Sequence, residues 1–307
     1  MKHFIDIADA TDDELVRLFD VAMAMRAARQ RGESADPVLA GRTFAMVFEK
    51  PSLRTRASIE QAVVELGGHA LNLGAADIGI GQREPAVDVA RVLVGMVDGI
   101  AARVYDHAKL QDLAVDDSVP VINLLSDRSH PCQALADLMT MFDEFGGDIT
   151  GRKVAFVGDG NNVAFSLAHL CLRMGVHFAL ASPTDFALSQ AAVTEITGDA
   201  QGATYSWCES PVDAAKEADV IYTDTWVSMG QEADQASRRD AFAAYQVNDA
   251  LLAAAADHAI VMHCLPAYRG SEITDAVIEG PQSRVFPQAH NRLHVQKGLL
   301  AVLADSA

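Results

Sequence analysis

Three basic residues and no acid lie between Lys50 and Ser58, in the run Glu49-Lys50-Pro51-Ser52-Leu53-Arg54-Thr55-Arg56. An apolar β-type run, Thr43 to Phe48, precedes this segment, and a helical pattern begins at about Thr55, so it reads as strand, turn and helix N-terminus. Unpaired backbone N–H groups and the helix dipole favour an anion there, and the forked donors of arginine match a phosphate. Surface pairing of Arg54 and Arg56 with acids is the alternative. A second candidate is Asp127-Arg128-Ser129-His130-Pro131-Cys132-Gln133, after the run Val119 to Leu124. Pro131 suits a first helical position, which sets His130 and Gln133 at the mouth of a helix on the carboxyl edge of a sheet. A histidine there can donate to a carbonyl oxygen and polarise it, although an ordinary capping histidine satisfies the same pattern.

Further along, the run Lys153 to Val157 leads into Gly158-Asp159-Gly160-Asn161-Asn162-Val163. The last glycine of G-x-G-x-x-G is missing and two amides fill the turn, which excludes a dinucleotide. Asparagine suits the polar end of a small ligand, and a turn role for Asn161 is equally natural. The run Val220 to Thr223 ends in Asp224-Thr225-Trp226-Val227-Ser228-Met229-Gly230, and Ala259 to His263 ends in Cys264-Leu265-Pro266-Ala267. All these loops leave the carboxyl ends of strands, so the expected site is a cleft between two domains.

The elements that must position these loops alternate between strand and helix period, which implies parallel sheets with crossover helices and an α/β fold of two doubly wound domains. Thr11-Asp12-Asp13-Glu14 reads as a capping box opening the first helix. A helical run from about Pro131 stops at Phe145-Gly146-Gly147, giving expected domains of residues 1–146 and 147–307. The last helical pattern, about 290–303, is expected to pack back on the first domain.

The 307 residues carry 24 Lys and Arg against 42 Asp and Glu, a net charge of -18, which argues against nucleic acid because phosphate-backbone affinity needs cations. Twelve acids against three bases fall within residues 195–260, so half of the excess is local. Half the residues are apolar, which excludes a disordered acidic chain. No apolar run reaches the roughly 20 residues that cross a bilayer, and the first residues lack a signal-peptide pattern, so a cytoplasmic protein is expected. Cys132, Cys171, Cys208 and Cys264 form no C-x-x-C pair and read as free thiols.

Together, Ser52-Leu53-Arg54-Thr55-Arg56, His130-Pro131-Cys132-Gln133, the Asp224 to Gly230 loop, His263-Cys264-Leu265-Pro266 and Asn291-Arg292 resemble, in order and spacing, the motifs of the ornithine carbamoyltransferases. The resemblance runs from Phe4 to Leu303. It implies that Ser52, Leu53, Arg54 and Thr55 hold the phosphate of carbamoyl phosphate, and that Arg103, Thr55, His130 and Gln133 hold the carbamoyl group. It also implies that Asn162, Asp224, Ser228 and Met229 bind the α-amino and carboxylate end of ornithine, and that Cys264, Leu265 and Arg292 close on the reacting centre. Arg103, His130, Cys264 and Arg292 are then the catalytic set, with no metal, no cofactor, no covalent enzyme intermediate and a homotrimeric assembly. Three positions depart from the family pattern: Leu53 stands where Thr is usual, Gly79 where a Gln usually reaches a neighbouring subunit's phosphate, and His290 where Glu usually precedes Asn-Arg. A paralogue acting on N-acylated ornithine or lysine, and a relative that binds these ligands without turnover, remain as alternatives.

Overall fold

The computed structural model describes residues 1–227 and 232–305. The chain divides into two compact units, one comprising Met1–Ala136 and His290–Ala307, the other Asp137–Ala289. In the first unit β1 (Thr43–Phe48), β2 (His69–Gly74), β3 (Gly99–Arg103) and β4 (Val121–Leu125) form one parallel sheet in the order β2-β1-β3-β4. Phe44 to Val47 and all of β3 are buried, the near-continuous apolar content that a strand covered on both faces requires. Phe4 extends the sheet beyond β4, its N–H donating to Val121 O at 2.8 Å and its carbonyl accepting from Asn123 N at 2.8 Å. The chain leaves β1 outward to β2 and returns on the other side of β1 as β3, so the strand order reverses between β1 and β3. Phe48 and Arg103 are register partners there, which brings the loop after β1 and the Arg103 side chain to one switch point.

The second unit repeats this logic with β5 (Lys153–Val157), β6 (His177–Ala181), β7 (Tyr205–Cys208), β8 (Val220–Thr223) and β9 (Ile260–His263), parallel in the order β7-β6-β5-β8-β9. Its reversal lies between β5 and β8, whose carboxyl ends feed the Gly158–Asn161 turn and Asp224. The helix Asn162–Arg173 is buried from Val163 through Leu172 and covers this sheet as a core element rather than a surface one.

Strands β1, β5 and β8 have the bounds that sequence period predicts. Strands β2, β6 and β7 are additional. The edge strand β2 alternates with exposed His69 and Leu71, β7 exposes Ser206 and Trp207, and β6 (His-Phe-Ala-Leu-Ala) carries alanine that favours helix. The final helix, Val285–Asp305, starts five residues before the predicted His290, because Pro287 is tolerated in a first turn. The helix Pro131–Glu144 ends before Gly146 and Gly147, at φ 74° and 90°, a left-handed exit that glycine adopts without strain. Among the described residues, no helix is long and apolar enough to cross a membrane.

Gly298 sets how closely the last helix approaches the helix Asp12–Gln30: a Cβ there would lie 2.5 Å from Leu18 O and 2.9 Å from Ala22 Cβ. Gly298→Ala is therefore expected to lose about 1–3 kcal/mol by overpacking, against a helix-propensity gain of about 1 kcal/mol. Urea unfolding checks the sign, and a raised midpoint would show that this approach is not tight.

Candidate active site

At the switch point of the first unit, Ser52 caps the helix Leu53–Glu65 with its Oγ accepting from Thr55 N at 3.3 Å, while its hydroxyl meets Thr55 Oγ1 at 2.9 Å. That threonine is fully buried and collects further donors: Arg292 Nη2 at 2.8 Å and Arg103 Nη1 at 3.5 Å. Arg292 Nη1 also donates to Gln133 Oε1 at 2.6 Å. Thr55, Arg103, His130, Gln133 and Arg292 are all buried, although they come from a loop, a strand end and three helices. Burial, and then the positive charge of Arg292, Arg103 and Arg54, holds the His130 imidazole well below its ordinary range. A neutral imidazole follows, able to donate one N–H while the guanidinium groups supply the charge. Burial also pushes the Cys132 thiol up to about 12, so it is an inert neighbour that donates to Asn123 O.

Leu53 is 80% exposed, so its side chain is turned to solvent and only its backbone N–H, at the first helical position, belongs to the anion-facing turn. Arg56 is exposed and meets Glu60 at 3.8 Å, the surface pairing that was its alternative reading. Arg128 likewise pairs with Asp6 at 3.3 Å. Lys50 is buried, with its ammonium 4.3 Å from the Tyr105 ring centroid.

In the second unit Asp224, also buried, lies at the end of β8 and accepts from Asn161 Nδ2 at 2.9 Å, from Thr225 N at 2.7 Å and from Cys264 Sγ at 3.0 Å. Asn161 also caps the next helix, its Oδ1 accepting from Val163 N at 2.9 Å and Ala164 N at 3.1 Å. One amide thus ties the β5 turn to the β8 loop, which gives Asn161 more than a turn role. Asn162, half-buried, opens the same helix beside it. Ser228 and Met229 lie outside the described residues.

Sequence reasoning missed the support beneath this loop. Arg238 pairs with Asp159, donates to Trp226 O at 2.6 Å, and lies 4.8 Å from the Phe186 ring centroid. Burial raises the Asp159 carboxyl to about 6, against the lowering effect of Arg238. No local signal links residues 79 positions apart. His263, which in the sequence is only one member of the His263-Cys264-Leu265-Pro266 run, is fully buried, with Nδ1 accepting from Leu265 N at 2.8 Å and Nε2 at 3.2 Å from Glu272 Oε1. Asp224, His263 and Cys264 each place a donor atom within 4.8 Å of the others, but both imidazole nitrogens already serve the loop.

Two family models cover almost the whole chain: the carbamoyl-P binding domain of aspartate/ornithine carbamoyltransferase matches residues 2–143, and the Asp/Orn binding domain matches residues 150–303. The chain is 46% identical over 304 residues to an ornithine carbamoyltransferase of Anoxybacillus flavithermus, covering 98% of this chain and 96% of that one. It is 47% identical over 309 residues to the Acidothermus cellulolyticus enzyme of the same name, covering 100% and 98%. Among solved structures, ornithine carbamoyltransferase from Pyrococcus furiosus is similar at a TM-score of 0.94 and 44% identity, over 99% of this chain and 97% of that one.

The His130 environment has a measurable consequence. Its ring-proton resonances should stay those of a neutral imidazole from pH 8 down past 6.5. Because its folded pKa lies below the unfolded value of about 6.5, the unfolded chain binds the extra proton, so this group's contribution favours folding above about pH 6.5 and is lost as pH falls. A titration of His130 centred near 6.5 would contradict the cationic surroundings described here.

Proposed function

Because the chain belongs to the aspartate/ornithine carbamoyltransferase family, we infer that it transfers the carbamoyl group of carbamoyl phosphate to the δ-amine of L-ornithine, giving L-citrulline and phosphate in arginine biosynthesis. The observation that carries the reading is the meeting of buried Arg103 and Arg292 on Thr55 Oγ1 and Gln133 Oε1 at the Ser52-capped helix N-terminus. Carbamoyl phosphate is a small dianion with an activated carbonyl, and its chemistry asks for that combination.

In this reading Ser52, Arg54, Thr55 and the backbone N–H groups of Leu53 and its neighbours hold the phosphate. Arg103, Thr55, His130 and Gln133 hold the carbamoyl group, where fixed donors stabilise the oxyanion that forms when nitrogen attacks the carbonyl carbon. The C–O bond to phosphate then breaks, phosphate leaves, and the nitrogen loses its proton. Ornithine's δ-ammonium, with a lysine-like pKa of about 10.4, must reach the carbonyl neutral, and a desolvated, cationic environment including Arg292 favours that form. Asp224 and Asn162, with Ser228 and Met229, take the α-amino and carboxylate end, and Cys264 and Leu265 border the reacting amine.

Residues 1–146 serve carbamoyl phosphate and residues 147–307 ornithine, with the last helix returning Arg292 to the phosphate side. The reading includes a homotrimer in the cytoplasm and requires no metal or cofactor. A buried carboxylate at Asp224 favours a free α-ammonium over an acylated nitrogen, which sets L-ornithine above N-acylated substrates.

Steady-state assays with L-ornithine, N-acetyl-L-ornithine and L-lysine test this directly. L-Ornithine is expected to lead N-acetyl-L-ornithine by about 100-fold or more in kcat/KM, since an acylated nitrogen leaves the Asp224 carboxylate without its ionic partner. Preference for an acylated amine would identify a paralogue, and tight binding without citrulline would identify a non-catalytic relative. Arg54→Ala should raise the KM for carbamoyl phosphate by about 10-fold to 100-fold through loss of a charged hydrogen bond. An unchanged KM would remove Arg54 from the phosphate site.

A further inference from the structure

Leu265 has φ 60°, in the left-handed region that a branched residue rarely occupies, so the surrounding structure must hold it there. Its N–H donates to His263 Nδ1 at 2.8 Å. That nitrogen must therefore be an acceptor, which leaves the imidazole neutral with its proton on Nε2. Nε2 faces Glu272 Oε1 at 3.2 Å, and the same oxygen accepts from Tyr268 N at 2.5 Å. His263 and Tyr268 are the two ends of the segment that carries Cys264 and Leu265, so one carboxylate oxygen ties both ends. Glu272 is 1% exposed and His263 fully buried, and the His263 backbone is held independently by Gln288 Oε1 at 2.9 Å.

We propose that Glu272 is a positioning residue for carbamoyl transfer: through His263 and the Tyr268 amide it fixes the His263 tautomer and holds Cys264 and Leu265 in their reactive arrangement. The proposal rests on the carbamoyltransferase reading of the Cys264-Leu265 loop. Loss of the carboxylate leaves the buried His263 Nε2–H and the Tyr268 N–H without their shared acceptor and frees the imidazole to move its proton to Nδ1. In that tautomer Nδ1 no longer accepts from Leu265, and the left-handed residue loses the bond that holds it. Cys264, which donates to Asp224 Oδ1 at 3.0 Å, shifts with it. A misplacement near 1 Å at a reacting centre costs about 100-fold in rate.

The test compares full-length wild type with Glu272→Gln, Glu272→Asp and Glu272→Ala. Proton–nitrogen NMR correlation of His263 should show the proton on Nε2 in wild type and Glu272→Gln, whose amide oxygen still accepts, and a changed tautomer or exchange between tautomers in Glu272→Ala. Citrulline turnover should follow the tautomer: near wild type in Glu272→Gln, and reduced by about 10-fold to 100-fold in Glu272→Asp and Glu272→Ala. Affinity for inorganic phosphate, read by calorimetry, should be unchanged throughout, because the Ser52–Thr55 turn is untouched. A folded Glu272→Ala with wild-type turnover, or a wild-type His263 protonated on Nδ1, would overturn the proposal. Should Glu272→Ala not fold, the wild-type tautomer and the Glu272→Asp rate decide. Wild-type protein that makes no citrulline defeats the functional reading instead, and leaves the tautomer measurement to judge the hydrogen-bond relay alone.

Discussion

Buried positive charge at a helix N-terminus is the constraint on which the first unit depends. Arg103 and Arg292 are 6% and 2% exposed, and taking each guanidinium out of water costs several kcal/mol unless hydrogen bonds and opposite charge offset it. Thr55 is where much of that accommodation occurs, because its hydroxyl meets both arginines and Ser52, while Gln133 accepts from the other arm of Arg292. The arrangement also bears on His130: burial, and then the charge of Arg292, Arg103 and Arg54, holds its imidazole well below the ordinary range, so it is neutral and able to donate one N–H. In a chain of net charge -18, the sign of this local field is opposite to that of the molecule as a whole.

Each sheet places its own chemistry by topology. Parallel strands reverse order between β1 and β3 in one unit and between β5 and β8 in the other; the Ser52–Thr55 turn and Arg103 sit at the first pair of carboxyl ends and Asn161 and Asp224 at the second, while His130 and Gln133 follow β4 and Cys264 and Leu265 follow β9. The division of charge follows: arginines gather at the first switch point, while the second is built around the carboxylate of Asp224, held by Asn161 and Thr225. An anion suits one and an ammonium the other. The Asp159–Arg238 pair under the Trp226 carbonyl and the Glu272–His263 pair under Leu265 belong to a supporting layer whose work is geometric.

What the sequence revealed, and what it hid, follows from the range of each interaction. Buried central strands such as β1 and β5 write their burial as uninterrupted apolar runs and were legible to the residue. The edges β2 and β7 are half exposed and carry no such run, and β6 is hidden by alanine. The Thr11 capping box was readable because its partners lie within one turn, whereas the helix expected from about Thr55 begins at Leu53 with Ser52 as its cap. Loop chemistry pointed to Thr55, His130, Asp224 and Cys264, but the convergence of Arg292 on Thr55 spans 237 positions and had to come from family resemblance. Asn161 shows the limit of local reading: a turn role was evident, whereas its bond to Asp224 depends on strand order. Glu272 had no signal, because an acid nine residues after a histidine acquires meaning only once the intervening loop has folded back.

The central claim is that Thr55 organises the buried arginines into a site for a dianion. The most direct test is the calorimetric affinity of the wild type and of Thr55→Val for inorganic phosphate, since valine keeps the shape and removes the hydroxyl. A charged hydrogen bond contributes about 1.5–3 kcal/mol, so Thr55→Val should remain folded and bind phosphate about 10-fold to 100-fold more weakly. Equal affinity in the two proteins would contradict the account.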